Sequence, residues 1–335
     1  MKSYIENAVA NKDENFGNGR FVRNLFEKTV QLQATRLAQL SDLTKEKLQL
    51  IEDEDIPIEQ KEYVEDMNKT KEYDSFVEQG YVTYNGTYDK VLSCNPEAKG
   101  KITLREGVRE IAEKAFIDCK NITEIVFPDS LVHISKRAFQ DCSGLTNITL
   151  PKGLQSMSES AFAYCYNIKS FKFLGSYSDI PDYCFAGCLA LSDFAFPEGL
   201  KSIGESAFFN CESLRKLSIP EGITTIKKGT FENCRSLSEL TLPTSLETIE
   251  NSAFHGCKSI EQICLPKNIK NIGRLVFSCM FSLETITCLS VNPPVVTAKW
   301  NNRHDPNNVT LFVSEDSYDS YFNHPYWGNY KIKCL

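Results

Sequence analysis

A block of eight residues recurs every 23 residues through most of this chain, and no other feature restricts its fold as strongly. The block is clearest at 253–260, where Ala-Phe precedes a cysteine and an aliphatic residue. A fixed period of this length predicts stacked repeats, each of which completes the core of its neighbours. The ladder of repeated core positions comprises Phe116, Cys119, Phe139, Cys142, Phe162, Cys165, Phe185, Cys188, Phe208, Cys211, Phe231, Cys234, Phe254, Cys257 and Phe277, with Met280 in the last cysteine position.

Each period has three parts. The first is a strand ending in proline, such as 240–243, in which alternation turns the first and third residues inward. The second is a short extended piece such as 246–249, and the third is the Ala-Phe-x-x-Cys-x-x-Leu block, whose spacing predicts one or two helical turns. We therefore predict an α/β-type repeat: a solenoid of about nine 23-residue coils with parallel strands, preceded by a small α-helical segment.

The ladder cysteines are interpreted as small core side chains packed beside the phenylalanines. They account for seven of the 13 cysteines in the chain. A zinc site needs ligands that converge as a tetrahedron, and a row of parallel side chains does not converge. An odd number of cysteines cannot all form disulfides, and the remaining six contain no Cys-x-x-Cys pair. We predict no metal site.

The repeated pattern resembles the BspA-like leucine-rich repeats over about residues 81–335. The pattern is Ile/Leu-x-Ile/Leu/Phe-Pro, a second short strand and the Ala-Phe-x-x-Cys-x-x-Leu block, repeated eight times. The resemblance implies a leucine-rich-repeat solenoid that acts in adhesion, or in binding host or matrix proteins, when it is secreted. One coil departs from the pattern, because Leu174 replaces the proline and 178–181 alter the second strand. We expect a local irregularity there.

Residues 1–56 carry a different signal. After the breaker at 17–19, apolar residues from Val22 to Leu40 follow helical spacing. Residues 15–28, with 33–37 and 43–56, resemble the C-terminal helical lid of AAA+ ATPases of the CbbX and stage V sporulation protein K type. In that family the arginine matching Arg20 is the sensor-2 residue, which contacts nucleotide phosphates. The chain lacks a GxxxxGK[ST] loop, so Arg20 is a weak candidate, either a relic or a surface arginine.

The predicted domain organisation comprises four segments. The lid-like segment covers 1–56, an acidic linker 57–80, the solenoid with an N-terminal cap 81–300 and a C-terminal capping element 301–335. Residues 52–78 contain 11 acidic and 3 basic side chains, a net charge of −8, which fits a solvated face or an acidic partner-binding segment.

Both ends of the solenoid show capping signals, since an open end would expose apolar core. Residues 81–96 alternate around Asn85-Gly86, which predicts a hairpin. Near the other end, Val309–Val313 is predicted as a strand and Ser317–Phe322 as a helix start. Trp327 is assigned to packing on the last coil, with ligand stacking as the alternative.

Composition narrows the function classes. The net charge of −7 argues against a nucleic-acid surface, and no run of 18 apolar residues indicates a transmembrane span. The N-terminus lacks the apolar core of a signal peptide. We therefore expect a cytoplasmic chain, or a secreted or cell-surface one if a leader precedes the sequence.

Catalytic motifs do not appear in the sequence. None of the four histidines pairs with a cysteine or carboxylate at a useful spacing, and the His255 position varies between copies as a free surface position would. We predict no enzyme, no catalytic residue and no cofactor. The favoured interpretation is a non-enzymatic protein-protein interaction or adhesion module with an unidentified protein partner, for example an extracellular or host matrix protein. The alternative is an accessory or client-recruiting tail of an AAA+ ATPase, with that ATPase subunit as its partner.

Overall fold

A computed structural model describes residues 81–297 and 308–335 of the chain. The chain divides into two units, Met1–Gly80 and Tyr81–Leu335. The predicted helical segment 1–56, Arg20 and the linker 57–80 lie outside the described residues.

The second unit is a parallel-strand solenoid of about ten turns, as the period predicts. Each turn contributes one strand to a main row and one to a second row. The main row comprises β3 (Lys99–Thr103), β5 (Asn121–Val126), β7 (Asn147–Leu150), β9 (Ser170–Phe173), β11 (Asp193–Phe194), β13 (Lys216–Ser218), β15 (Glu239–Thr241), β17 (Gln262–Leu265), β19 (Thr285–Cys288), β21 (Thr310–Val313) and β22 (Lys331–Cys334). The second row comprises β2 (Lys90–Cys94), β4 (Glu110–Ile111), β6 (His133–Ile134), β8 (Ser156–Met157), β10 (Asp179–Ile180), β12 (Ser202–Ile203), β14 (Thr225–Ile226), β16 (Thr248–Ile249), β18 (Asn271–Ile272) and β20 (Val295–Val296).

The main row contains two more strands than the nine that the period predicts. Thr285 of β19 pairs with Thr310 of β21, and Thr310 pairs with Lys331 of β22. These strands continue the parallel ladder, but the first step is longer than the repeat period and the second is shorter, which is why the period does not reveal them. The C-terminal segment therefore adds two strands to the main sheet.

The ladder phenylalanines form a column of rings along the core. All eight, from Phe116 to Phe277, are buried. Neighbouring rings stack with centroid distances such as 4.8 Å for Phe116 and Phe139 and 5.4 Å for Phe208 and Phe231. From Phe116 to Phe254 each ring contacts the ring of the next coil, so the column joins these coils into one continuous core.

The expectation of helical turns in the Ala-Phe block was wrong. Two residues around every ladder phenylalanine, two positions before and two after it, have left-handed backbone, as at Tyr183 (φ 55) and Gly187 (φ 76). Such residues interrupt a right-handed helix. Instead, the N–H groups of every second residue donate to the next coil, as from Phe185 to the Ala207 carbonyl at 2.9 Å. The N–H groups of the residues in between donate to a carbonyl three positions earlier in the same coil, as from Ala186 to Tyr183. The block is therefore a rigid ladder of turns.

The ladder cysteines do more than fill space. The thiol of Cys211 donates to the carbonyl of Phe185 at 3.2 Å, and Cys142, Cys165, Cys188, Cys234 and Cys257 donate in the same way, each to the phenylalanine 26 residues earlier. Burial raises the pKa of Cys211 well above its ordinary value, which keeps the thiol protonated as a donor. All 13 cysteines are free.

Both predicted capping signals form the expected local structure. At the N-terminal end, β1 (Val82–Tyr84) pairs antiparallel with β2 as a hairpin, and β2 pairs with β4. The guanidinium of Arg105 lies 5.5 Å from the ring centre of Tyr84 and 5.2 Å from that of Tyr88. This cation–π contact holds the hairpin against the first coil.

At the C-terminal end, the helix α1 (Tyr318–Phe322) lies between two short 3₁₀ turns, Glu315–Ser317 and Trp327–Asn329. Trp327 is fully buried, and its Nε1 donates to the Pro294 carbonyl at 3.0 Å. The Tyr321 hydroxyl donates to the Ser290 carbonyl at 2.9 Å. Trp327 therefore packs on the last coil, as predicted.

Phe208 tests the contribution of the ring column to stability. Phe208→Ala leaves a large cavity between two coils, so we expect the free energy of unfolding to fall by about 3–5 kcal/mol. Urea denaturation followed by far-UV circular dichroism measures the change. Phe281→Ala, at an exposed aromatic residue, serves as the control and should cost less than about 1 kcal/mol. Equal losses in the two variants would contradict the assignment of Phe208 to the core.

His324 makes the stability of this end pH-dependent. Its Nδ1 accepts the N–H groups of Tyr326 and Trp327, both at 3.2 Å, so a proton on Nδ1 would oppose both donors. Burial lowers the pKa of His324 below its ordinary value. As pH falls from about 7.5 through the ordinary histidine pKa of about 6.5, the unfolded state takes up this proton first, so stability decreases. Urea midpoints at several pH values should fall more steeply toward acid for the native chain than for His324→Gln; parallel curves would contradict this role.

Candidate functional site

The Ala-Phe blocks form one edge of the solenoid, and their outward residues stand in columns with one residue per coil. One column holds the residue two places after the phenylalanine, such as Tyr164, and another the residue after the cysteine, such as Tyr166. The backbone beneath is fixed, because Tyr164 donates its N–H to the Ala186 carbonyl at 2.6 Å and Ala190 donates to the Tyr166 carbonyl at 3.0 Å. Side chains on this edge therefore occupy defined positions.

Exposed large apolar side chains gather on this edge in the middle of the stack. Tyr164, Tyr166 and Tyr183 are each 40% exposed, and Leu189 is 38% exposed. They belong to the two consecutive coils of Phe162 and Phe185. We call these four residues the tyrosine patch. Clustered exposed apolar residues on a folded surface are typical of interaction sites, and tyrosine is enriched in them.

Tyr164 lies flat on the solenoid because the next coil has a glycine beneath it. A Cβ atom on Gly187 would come within 2.6 Å of the Tyr164 Cδ1 atom. The rings of Tyr164 and Tyr166 are in contact, with centroids 6.2 Å apart and planes inclined at 51°. Tyr183 begins the turn that contains Gly187, and its carbonyl accepts the N–H of Ala186 at 3.1 Å. The rings of Tyr164 and Tyr166 are therefore in contact with each other, and that of Tyr164 also lies against Gly187.

Charged side chains lie on both sides of the patch along the stack, and several of them are paired. Lys120 pairs with Asp118 at 3.0 Å toward the N-terminal end, and Arg235 pairs with Glu212 at 3.4 Å toward the C-terminal end. Asp141, one coil before Tyr164, accepts the side-chain amide of the preceding glutamine at 3.0 Å. The four patch residues carry no charge, and the ion pairs that flank them are exposed to solvent.

Among the described strands the second row is interrupted twice, between β8 and β10 and between β12 and β14, and the first interruption is at the coil that carries Tyr183. In the neighbouring coils an N–H closes the ladder, as from Gly204 to Ile180 at 2.8 Å, but Pro181 has no N–H to donate. The Tyr177 hydroxyl instead accepts the N–H of Met157, and within the described strands β8 and β10 are not paired. The predicted irregularity around Leu174 is therefore present, and it adjoins the patch.

The ladder residues themselves are not accessible to a ligand. The phenylalanines and cysteines named from the period, Phe116 to Phe277, lie in the core. Burial raises the pKa of thiols such as Cys188, to about 12, and so disfavours the reactive thiolate. In the part of the chain that the structure describes, no group of three or more His, Cys, Asp or Glu side chains could hold a metal ion.

Two histidines lie one repeat period from a neighbouring side chain, which the sequence analysis missed. The His255 position was expected to be a free surface position, but its Nδ1 is enclosed without a hydrogen-bond partner, and the residue lies near Glu232 of the preceding coil. Burial raises the pKa of Glu232, and the proximity of His255 opposes that shift. The His133 Nδ1 contacts the Ser156 hydroxyl. Both pairs are separated by one repeat period, so comparing outward positions at that period would have found them.

The same comparison would have found the patch. Tyr166 and Leu189 are separated by one period, as are Tyr164 and Gly187. The ladder motif draws attention to inward positions, which are nearly identical in each copy. The outward columns differ between copies, and the patch becomes visible only when those columns are compared with the exposure of each side chain.

Comparison with known proteins gives the same architecture. Residues 95–188 and 178–293 match the BspA type leucine rich repeat region in six copies, and residues 1–66 match the AAA lid domain. No curated protein matches the chain. Among the described residues, no helix combines the length and hydropathy needed to span a membrane.

Several bacterial crystal structures are similar. A leucine rich repeat protein of T. pallidum is 27% identical, with 60% of this chain and 86% of that one covered and a TM-score of 0.48. One from Eubacterium ventriosum is 24% identical, covering 67% and 52%, with a TM-score of 0.43; this chain thus spans about half of that protein. A leucine rich cell surface protein of Faecalibacterium prausnitzii is 22% identical, covering 70% and 69%, with a TM-score of 0.46.

Gly187 tests how the patch is positioned. Gly187→Ala puts a Cβ against the Tyr164 ring at a residue with φ +76, whereas Gly222→Ala imposes similar backbone strain at φ +94 where nothing lies within 4 Å. We expect Gly187→Ala to lower the urea midpoint more than Gly222→Ala and to shift the NMR signals of the Tyr164 ring. The left-handed strain common to both is about 1–2 kcal/mol. If Gly222→Ala has the larger effect, Tyr164 is not held by this contact.

Proposed function

The chain belongs to the BspA type leucine rich repeat family, and from this we propose that its solenoid is a non-enzymatic protein-binding module that uses the tyrosine patch as its contact surface. The observation that carries the proposal is the location of exposed large apolar residues in the middle of the stack, on one edge of two consecutive coils. Tyrosine contributes a large contact area and a hydroxyl at little cost in side-chain entropy. A rigid backbone beneath it adds no loop-ordering cost on binding.

A binding role rather than a catalytic one is supported by where the reactive groups lie. The ladder cysteines are buried, and burial raises the pKa of those from Cys142 to Cys257. The four patch residues include no charged group that could act as an acid or base. Catalysis requires such groups within reach of a substrate. We infer that partners are recognised by shape and by side-chain contacts.

Adhesion is a more specific version of this proposed protein-binding function. It is the role that the resemblance to BspA-like repeats implies for a secreted chain. An adhesive role would place the solenoid at the cell surface or in the secreted fraction, with a host or matrix protein as the partner. Solenoids suit such partners because their surfaces are long and continuous.

A second candidate function follows from the AAA lid match at residues 1–66. In this alternative the solenoid recruits clients for an AAA+ ATPase whose catalytic domain is on another chain or upstream, and the protein is cytoplasmic. Arg20 would then be the residue to test for a nucleotide-linked role. Because the sequence lacks a P-loop lysine motif, the chain alone would bind no nucleotide at such a site.

Site-specific photocrosslinking tests the proposal. A benzophenone amino acid at position 166 in the full chain should form adducts with a partner in native extract, while the same group at position 281, an exposed aromatic site on the same edge, should not. The adduct is then identified and the purified partner titrated. We expect Tyr164→Ala with Tyr183→Ala to weaken binding at least tenfold, since buried tyrosines dominate such interfaces.

The identity of the partner separates the two candidates. A matrix or surface protein favours adhesion, whereas an AAA+ subunit that is lost on deleting 1–56 favours the second function. Equal adduct yields at positions 166 and 281, or a partner whose affinity is unchanged by the double substitution, would contradict a role for the patch. ATP hydrolysis by the purified chain above the blank would contradict both candidates.

A further inference from the structure

We propose that β22, the last strand of the main row, binds an extended segment of another protein in which acidic and apolar residues alternate. The segment would join the main sheet as a further strand. The site consists of Lys331–Cys334 and Leu335, and we call it the β22 edge. It is separate from the tyrosine patch and goes beyond the function proposed for that patch.

The backbone of β22 has main-chain groups that face an open side of the sheet. Among the described strands, β21 alone pairs with β22, in continuous register over the whole strand. The Leu335 N–H donates to the Val313 carbonyl at 2.9 Å. Successive residues of a strand turn their N–H and C=O groups to opposite sides, so the groups of Ile332 and Cys334 face away from β21. Such an edge is a template for strand addition.

The outward face of the β22 edge is basic. Lys331 and Lys333 are exposed, as is Leu335, and neither lysine forms an ion pair with a described residue. Their register partners on β21 are Thr310 and Phe312, which carry no charge. The Lys333 Nζ lies 6.0 Å from the centre of the Phe312 ring. Acidic side chains on an added strand would therefore meet two available positive charges.

The inward face of the β22 edge favours apolar residues. Ile332 packs against the core but is only half-buried, whereas its register partner Leu311 is fully buried. Cys334 is exposed, whereas its register partner Val313 is fully buried. Apolar side chains on an added strand would cover both residues and gain the free energy of that burial. A segment that alternates acidic and apolar residues therefore fits both faces.

The same charges disfavour a second copy of this chain as the occupant. If two β22 strands paired antiparallel through Ile332 and Cys334, Lys333 would lie directly opposite its counterpart. If β22 paired with β3 of another copy, its lysines would approach Lys99 and Lys101. Like charges on neighbouring strands are destabilising. A second copy would meet repulsion where an acidic segment meets attraction.

The other ends of the two rows are less suited to strand addition. The register of β3 with β5 shifts between Gly100 and Lys101, and such irregularities discourage pairing at an edge. Lys101 also lies 2.8 Å from Glu124, whose charge would oppose an acidic segment. In the second row, β1 has a register shift at Thr83 and β20 has only two residues. β3 therefore provides a basic but irregular edge as a control.

Peptide titration of the full chain tests the proposal. The probe is a labelled peptide of alternating glutamate and valine, measured by fluorescence anisotropy. It should bind about tenfold more tightly than a peptide with the same residues in two separate blocks, because only alternation satisfies both faces. Lys331→Glu with Lys333→Glu should reverse the preference between this probe and a peptide of alternating lysine and valine. Lys99→Glu with Lys101→Glu has the same net charge and should retain the native preference.

Hydrogen exchange on the native chain locates the bound peptide. In the free protein the amide of Lys333 should exchange slowly, because it faces β21, and those of Ile332 and Cys334 should exchange rapidly. The glutamate–valine peptide should slow exchange at Ile332 and Cys334 and leave β3 unchanged. This measurement needs no variant, so it decides the proposal whatever the substitutions do to folding.

Three results would overturn the proposal. They are equal binding of the alternating and the blocked peptides, no slowing of exchange at Ile332 and Cys334, and an unchanged peptide preference in the Lys331→Glu, Lys333→Glu variant once urea denaturation has shown that it is folded. Each of these results would leave the proposed function standing, because no residue of the tyrosine patch takes part. Failure of crosslinking at position 166 would likewise leave the β22 edge unaffected.

Discussion

The carbonyl oxygens of the ladder phenylalanines from Phe116 to Phe231 link each coil to the next. Each accepts the N–H of the cysteine in its own block, as from Cys188 to Phe185 at 3.1 Å, and the thiol of the cysteine one coil later, as from Cys211 to Phe185 at 3.2 Å. Both lone pairs of a buried acceptor are thereby used, where an unpaired group would be costly. Cysteine suits this position because it combines a donor with the low burial cost of a small, weakly polar side chain. Met280 fills the same position in the last block but has no side-chain proton to donate.

This attachment explains why the surface can vary while the fold does not. Each coil bonds only with its neighbours, so stability accumulates through local interfaces. Ion pairs between adjacent coils, such as Lys216 with Glu239 at 2.9 Å, are exposed and add little. The core column and the turn ladder carry the structure across the interruption at Pro181, where the second row has no strand pairing. The chain can therefore place Tyr183 and Leu189 at this coil without losing register.

Period, alternation and turn residues were sufficient to predict the parallel solenoid, the N-terminal hairpin and the burial of Trp327. The turn conformation did not follow, because the helical spacing of Phe and Cys is equally produced by alternating local and inter-coil hydrogen bonds. β21 was predicted as a strand, but its pairing in the main row, and the strand β22, were hidden because their spacings differ from the repeat period. The patch was hidden because exposure depends on which neighbour lies one coil away, and that neighbour is remote in sequence.

Gly187 illustrates a wider property of this surface. The ring of Tyr164 rests where the side chain of the residue one coil later would be, and Asn233 has the same relation to Gly256. A bulky outward residue and the space it occupies are thus encoded at positions i and i+23. Substitutions in this column, two places after the phenylalanine, should accordingly be inherited, and engineered, in pairs: enlarging Tyr164 or Asn233 depends on the small residue one coil later. Binding specificity in such a solenoid would then change by coordinated exchange along columns, with single positions changing only where the following coil already provides a glycine.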